Sequence, residues 1–457
     1  MVNDALSPSP PDPVLTRPFN QENDPVPLEI AIIGGGIIGV MLALGLLHHG
    51  IQVTVYERAS TFPEIGAGMA FTAVARECMR RLSPQVLAAF ERVGSPNPHP
   101  QNRYWDGFHP TTKEEAQSAD ALLFQLSTHD MGFWTCLRAG LLNEMSRELP
   151  EGTVKFGKRL VSYEDDEVVE KVVLRFADGS EGRADAVIGC DGLRSRTRQL
   201  LLGESNPAAY PSYSHKVAYR AVVPIAAGMA ALGEDRGSNQ CLQMGPGAHM
   251  LTYPLAGFTL MNVAIFTTDP TPWPDASKIT MPATRSEVAS VFASWSPSVR
   301  EIIALLPENL TKWALYDMYE HPAASYCRGR VCLVGDAAHA SSPHHGAGAC
   351  MGVEDCLAMV TALDSVRGVV QERKALGVRG AVRQAFEAVN AVRWERSQWQ
   401  VRSARETGDI YEWMYPGSGD SSERCKQEIE GRTRRIWEFS VEEMVREVRV
   451  LMGEARI

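Results

Sequence analysis

Three glycines spaced Gly34-x-Gly36-x-x-Gly39 stand between an apolar run, Leu28 to Ile33, and the residues Ile37, Val40, Met41, Leu44 and Leu47 at helical spacing. Glycine at such a junction lets the backbone turn tightly and approach a pyrophosphate, whose charge then meets the positive end of the helix. Gly50 closes that helix, and a second apolar strand, Ile51 to Glu57, follows. Glu57 is where a carboxylate would accept hydrogen bonds from an adenosine ribose. The resulting βαβ unit of about thirty residues points to a dinucleotide without choosing between NAD and FAD. A glycine-rich helix cap is the competing explanation, and the Glu57 spacing weighs against it.

Two more strand ends carry polar residues. In "GCDGLRSRTR" (189–198) a strand halts on Asp191-Gly192, and Arg194, Arg196 and Arg198 follow. For Arg196 and Arg198 a solvated basic face is expected. In "RVCLVGDAAHASSPHHGAGACMGVED" (330–355) the run Val331 to Val334 stops at Gly335-Asp336, and His339, His344 and His345 sit among glycines. A zinc site needs three or four converging ligands at helix or knuckle spacing. Here no cysteine or carboxylate cluster accompanies the histidines, and no metal is expected. A loop shaped around a cofactor fits better. Asp336 can accept from ribityl hydroxyls, while Gly346-Ala347-Gly348-Ala349 lets N–H groups face a ligand at the next helix start. That positive end favours an anionic electron-rich ring such as reduced flavin. For His344 and His345 a place against the substrate and a purely structural role both fit.

These turns need a scaffold. Around Lys171 to Ile188, "KVVLRF" alternates, "ADGS" turns and "ADAVIGCDG" runs back as a hairpin. From about Asn206 to Glu320 strand alternation dominates, as in "HKVAYRAVVPI" and in "HMLTYPL" and "FTLMNVAIF" joined by Ala256-Gly257. The α/β style then returns, and amphipathic helices close the chain. The expected class is α/β: a Rossmann-like cofactor domain interrupted by a mostly antiparallel sheet and followed by helices. The expected segments are 28–205 and 321–370 for the cofactor domain, 206–320 for the inserted substrate domain and 371–457 for the helical region. The proline-rich stretch 1–27 is too polar to bury a core and is expected to be disordered.

Composition sets outer bounds. With 457 residues, 44% hydrophobic, the chain can bury a large core in two or three lobes. A formal net charge of -10 argues against a nucleic-acid surface. The nine cysteines form no CxxC pair, as expected for reduced thiols in a cytoplasmic protein. "IAIIGGGIIGVMLALGLL" is uncharged and long enough to suggest a membrane span, but its glycines suit a strand-to-helix turn better. No membrane partner is expected.

The order GxGxxG, DG, then GD before "GxGxxxxxED", spread from Ile30 to Asp355, resembles the class A flavoprotein monooxygenases, the para-hydroxybenzoate and salicylate hydroxylase family. "EIGAGMAF" (64–71) is similar to that family's loop over the flavin, which implies contacts from Gly68 and Ala70. "WTCLRAGLLNEM" resembles its "HRxxLL" element, with Cys136-Leu137 in place of the usual residues, and implies that Arg138 contacts FAD. The resemblance implies a GR2-type FAD-binding fold in which Gly34, Gly36, Gly39, Glu57, Asp336, Gly348 and Ala349 also hold FAD. It further implies NADPH or NADH as a transient co-substrate without a domain of its own. O2 would add to the reduced flavin to form a C4a-hydroperoxide that hydroxylates an electron-rich ring.

"IAIIGGGIIGV", "EIGAGMAFTA", "VAYRAVVP" and "HMLTYP" look like the fungal polyketide hydroxylases of azaphilone, sorbicillinoid and tropolone pathways, which perform oxidative dearomatisation. From the residues alone, Arg220 could be an edge-strand arginine reaching solvent and Tyr253 a core tyrosine. The resemblance implies instead that both engage a substrate phenolate, with His249 and Phe133 as further pocket candidates. The rival reading is a simple or decarboxylating hydroxylase of a salicylate-type acid. A flavin halogenase lacks its WxWxIP motif here, and a non-catalytic FAD or NAD sensor does not need the DG and GD turns. Oligomeric state is left open, and the partner expected is a small phenolic molecule.

Overall fold

The computed structural model describes residues 28–62, 68–96, 101–127, 133–166, 169–255, 258–372 and 376–453. The tail expected over 1–27, the turn Ala256-Gly257 and residues 64–67 of the flavin loop lie outside the described residues.

A six-stranded sheet forms the cofactor domain, in the order Cys327–Arg328, Val331–Leu333, Ala186–Gly189, Glu29–Ile33, Gln52–Tyr56, Val154–Lys155. All its pairings are parallel except the hairpin between the first two strands. The central strands Ala186–Gly189, Val331–Leu333 and residues 30–33 are apolar and buried because both faces are covered. Ile30 and Ile32 point into one core with the helix Ile37–His48, and Ala31 and Ile33 into another. Three neighbouring strands therefore end side by side at their carboxyl ends, at Gly34, at Asp191 and at Gly335. That is where open α/β sheets bind ligands.

The hairpin predicted over 171–188 differs in its return strand. Val172–Phe176 pairs antiparallel with Glu181–Ala184, whereas Ala186–Gly189 leaves the hairpin and joins the parallel sheet beside Glu29–Ile33. The continuous burial of "AVIG" explains why it belongs to a two-sided sheet.

The second sheet has eight strands, in the order Thr280–Thr284, Asn309–Asp317, Ser212–Pro224, Leu260–Thr268, Ala248–Leu255, Cys241–Gly245, Gln101–Asp106, Leu122–Ser127. Its last two strands come from the segment expected to belong to the cofactor domain, and Gln101–Asp106 adds in parallel. Side chains alternate across it. Val217, Tyr219, Met250 and Ile265 pack under the helix Pro297–Ala304, and the opposite face carries Arg220 and Tyr253. Arg220 lies on a central strand and not at an edge, yet its side chain is exposed, so the expectation of an arginine reaching solvent holds in that part.

Helices Gly348–Glu372, Gly377–Tyr411, Ser422–Trp437 and Val441–Leu451 complete the chain. The first two are joined by buried ion pairs. Arg393 Nε donates to Asp355 Oδ1 at 2.8 Å and its Nη1 meets Glu354 Oε2 at 2.7 Å, while Arg396 grips Glu354 at 2.7 and 2.9 Å. Asp355 Oδ2 accepts from the Gly335 N–H at 3.0 Å and from His339 at 2.5 Å. Burial pushes the Asp355 carboxyl up, but His339 and Arg393 outweigh it and hold the group well below the usual carboxylate range.

Arg198 departs from the solvated face expected of it. It is fully buried and donates to the carbonyls of Leu193 (2.6 Å), Ala209 (3.1 Å) and Ala337 (3.0 Å), fastening the DG turn to the GD turn. A permanently charged guanidinium is stable there because carbonyl oxygens replace its water. Arg196 stays half-buried, bonded to Val161 O and Glu204.

Arg393→Met should lower unfolding free energy by about 3–5 kcal/mol, since it removes the guanidinium shared by two buried carboxylates and leaves Glu354 only Arg396 and Asp355 only His339 as charged partners. A depressed folded pKa contributes stability above the unfolded value of about 4 and loses it as pH falls. The variant should therefore show a weaker dependence of its denaturation midpoint on pH below about 5 than the parent.

Candidate active site

Each glycine of the first turn has its own reason. Gly34 has φ +108°, and a Cβ there would lie 2.5 Å from the Cys190 carbonyl oxygen. A Cβ on Gly39 would fall 2.0 Å from Gly34 O, so helix and strand could not close. Gly36, which caps the helix Ile37–His48, is different, because the nearest atom to its added Cβ is Arg138 Nη2 at 3.7 Å. The open side of the turn thus faces a guanidinium, as a pyrophosphate site requires.

Glu57 follows the second strand and is fixed from behind. Its Oε2 accepts from Gly35 N at 2.7 Å and its Oε1 from Ala59 N at 2.8 Å, leaving one lone pair on each oxygen for ribose hydroxyls. Arg138 begins the helix Arg138–Arg147 directly after the strand Trp134–Leu137, which pairs antiparallel with Gly68–Phe71. Gly68, Ala70 and Arg138 therefore move as one unit. Asp336 is accessible to water, yet the protein around it is dense enough to raise its carboxyl pKa against the pull of His339, Arg198 and Arg138. Both facts describe a carboxylate on the wall of a deep cleft. Asp191, by contrast, is spent internally: it accepts from Ser195 Oγ at 2.5 Å and from Thr197 N at 2.9 Å, capping the next helix. Gly192 beside it, at φ +77°, has open space where a Cβ would point.

The third turn ends at the start of the helix Gly348–Glu372, with Gly346 left-handed at φ +63° and Gly348 against Ser341 Oγ. Ala349 lies in that first helical turn. His339 is buried against Asp355, and His345 bonds Ser403 at 2.8 Å and Thr407 at 3.1 Å on the helix Gly377–Tyr411. These bonds tie His345 to that helix.

Arg220 and Tyr253 project from the same face of the eight-stranded sheet, on strands two apart. Arg220 pairs across to Ala264 and on to Leu251, and Tyr253 to Asn262, so both project from one face. Neither side chain has a hydrogen-bond partner among the described residues. Burial raises the Tyr253 pKa and keeps it a donor, while Arg220 is close enough to pull it the other way. A Cβ on Gly68 would lie 3.3 Å from the Tyr253 hydroxyl, which sets the pair beside the strand expected to cross the flavin. Phe133 meets Trp437 edge-on at 5.4 Å in a cluster with Ala347 of the third turn.

His249, His344 and Glu412 come together with one ligand atom each within 4.8 Å of the others. The residues lie far apart in the chain, and nothing in their local sequence foretold it. Lys216 contacts Glu412 directly and supplies the positive charge there.

A glycine turn that opens toward Arg138, a carboxylate fixed at the end of the second strand and a third turn beside Asp336 form a cleft at the carboxyl ends of an α/β sheet that suits a dinucleotide. Comparison with known proteins agrees, and the chain belongs to the FAD binding domain family, which matches residues 27–373. It is 50% identical over 422 residues to a FAD-dependent monooxygenase of Aspergillus terreus (strain NIH 2624 / FGSC A1156), covering 92% of this chain and 96% of that one. It is 44% identical over 437 residues to salicylate hydroxylase asL1 of Sarocladium schorii, covering 93% and 90%. Among solved structures, a salicylate hydroxylase substrate complex matches with TM-score 0.78 and 29% identity over 92% of this chain and 98% of that one. The protein is a FAD-dependent monooxygenase. Among the described residues no helix is long and apolar enough to cross a membrane.

Gly39→Ala should yield no soluble yellow protein, because its Cβ collides with a backbone carbonyl. Arg138→Ala should fold but bind FAD about tenfold to a hundredfold more weakly, the worth of a charge-assisted hydrogen bond. Fluorescence titration of the apoprotein with FAD measures this, and an unchanged affinity would remove Arg138 from the site.

Proposed function

We propose that the enzyme hydroxylates a phenolic polyketide ring with NADPH or NADH and O2, holding the substrate as its phenolate between Arg220 and Tyr253. The observation that carries this reading is the pair itself, a cation and a hydroxyl donor on one face of the sheet, neither with a hydrogen-bond partner among the described residues and with the Tyr253 hydroxyl against Gly68. Bound FAD supplies the activated oxygen, and the chain supplies the binding and the charge.

The magnitude is adequate. A unit charge about 4 Å from the phenol oxygen contributes about 4 kcal/mol at an effective dielectric of about 20. That equals about three pKa units, enough to bring a phenol from about 10 to near neutrality. The ring then becomes a far stronger nucleophile, and the Tyr253 hydroxyl fixes its orientation. Glu57, Arg138 and Asp336 would hold the adenosine, pyrophosphate and ribityl parts, with Gly68, Ala70, Gly348 and Ala349 lining the ring. Where the attacked carbon already bears an alkyl group, no proton can leave to restore aromaticity, and a dearomatised quinol ketone results.

A salicylate-type acid is the second reading, favoured by the likeness to the salicylate hydroxylases. Arg220 and Tyr253 could clamp its carboxylate equally well. Offering salicylate and an alkylated resorcylic aldehyde separately, with product identification by NMR, separates the two. Arg220→Ala should keep its FAD and lose about a thousandfold in kcat/KM, and Tyr253→Phe about tenfold to a hundredfold. Full turnover in either variant would overturn the role given to that residue.

A further inference from the structure

At the end of the substrate sheet that meets the C-terminal helices, ionisable side chains from separate parts of the chain are sealed together. Lys216, on the strand Ser212–Pro224, contacts Glu412, which follows the helix Gly377–Tyr411 and is 0% exposed. Lys216 also pairs at 2.9 Å with Asp409, whose side chain is 32% exposed. Glu412 Oε1 accepts from His249 Nδ1 at 3.1 Å, and Thr268 donates to its other oxygen at 3.3 Å. His249 stacks on Phe266 at 4.6 Å, with the rings of His344 and Tyr411 both at 5.2 Å. His344 bonds Ser342 Oγ through Nδ1 at 3.0 Å, and its Nε2 is buried with no partner among the described residues. His344 stands in the loop Ser341–Ala347, directly before the helix that begins at Gly348.

Packing alone does not account for this cluster. A buried Lys–Glu pair is often no more stabilising than apolar residues of the same volume. A divalent cation is also an unsuitable occupant, since it would face the Lys216 ammonium across Glu412. Burial keeps both imidazoles below their ordinary pKa, His249 against the pull of Glu412 and His344 with the added repulsion of His249 and Lys216. Burial also raises the Glu412 carboxyl, but His249 and Lys216 outweigh it and hold it low. A neutral imidazole accepts a proton on one nitrogen and releases one from the other. The gap within the trio, at most 4.8 Å, is one that a single bridging water spans.

We propose that Asp409, Lys216, Glu412, His249 and His344 form a proton relay from the surface to the flavin-side loop. It rests on the reading of the enzyme as an NAD(P)H-dependent monooxygenase. That reaction is substrate + NAD(P)H + H+ + O2 → oxygenated substrate + NAD(P)+ + H2O. One oxygen atom enters the ring, the other leaves as water, and one proton must arrive from solvent in each turnover. The relay residues are positioning and proton-carrying groups, distinct from Arg220 and Tyr253.

The test avoids both substrate and nicotinamide. Photoreduced holoenzyme mixed with O2 reoxidises as FADH− + O2 + H+ → FAD + H2O2, which also takes up one proton. Stopped-flow absorbance with a pH-indicator dye should show flavin reoxidation and proton uptake slowed at least about fivefold in Glu412→Gln and His344→Ala, with a larger solvent deuterium isotope effect. Added imidazole should restore His344→Ala. Asp409→Asn, at the half-exposed mouth, should slow uptake while leaving the fold intact, and keeps the test decisive if Glu412→Gln does not fold. In apoprotein, histidine 15N NMR should show His249 neutral at pH 7 with its proton on Nδ1. Wild-type rates and isotope effects in Asp409→Asn and His344→Ala, or a slowed variant that neither imidazole nor deuterium affects, would overturn the relay. A failure to oxidise NAD(P)H with any phenol would instead overturn the proposed function and leave these measurements standing.

Discussion

Asp355, a carboxylate withdrawn from bulk water, is the constraint on which the cofactor cleft depends. One of its oxygens holds the Gly335 N–H and His339, and the other holds Arg393. Buried charge of this kind tolerates no partial pairing. The helix Gly377–Tyr411 therefore has a narrow choice of seating on Gly348–Glu372, with Glu354 shared between Arg393 and Arg396 as a second lock. Arg198 grips the same turn from the other side through the Ala337 carbonyl. The GD turn is thus held between two guanidinium anchors, and Asp336 is left to face the cleft.

The two sheets are joined with comparable economy. The strand Trp134–Leu137 aligns Gly68–Phe71 and runs straight into Arg138, so a single unit reaches from the first glycine turn to the face that carries Tyr253. Tyr253 stands against Gly68, and Arg220 projects from the same face two strands away. Cofactor geometry and substrate geometry are therefore mechanically linked.

Much of this was legible in the residues. The first turn announced itself because its glycines, helix and terminal carboxylate lie within one short unit. Period-two alternation placed Arg220 opposite Tyr219, and the structure puts Tyr219 in the core. What escaped were features made by distant pairing. "QNRYWD" and "LLFQLS" join the substrate sheet only because Cys241–Gly245 offers them an edge, which no local pattern encodes. Arg198 reads as surface because its partners are backbone carbonyls, which carry no residue signature. Lys216 follows Ser214-His215 and Glu412 stands alone in an apolar stretch, and no local pattern says that the two charges are buried together.

The order of the turns along the chain has a consequence for biosynthesis. Ribosomes deliver the glycine turn at Gly34 first, the DG turn at Asp191 much later, the GD turn at Gly335 later still, and the clamp at Arg393 and Arg396 after all of them. During most of translation the early glycine turn waits without the neighbours that would complete a nucleotide cleft. A chain interrupted before the helix Gly377–Tyr411 would emerge with its buried carboxylate pair, Glu354 and Asp355, lacking both guanidinium partners.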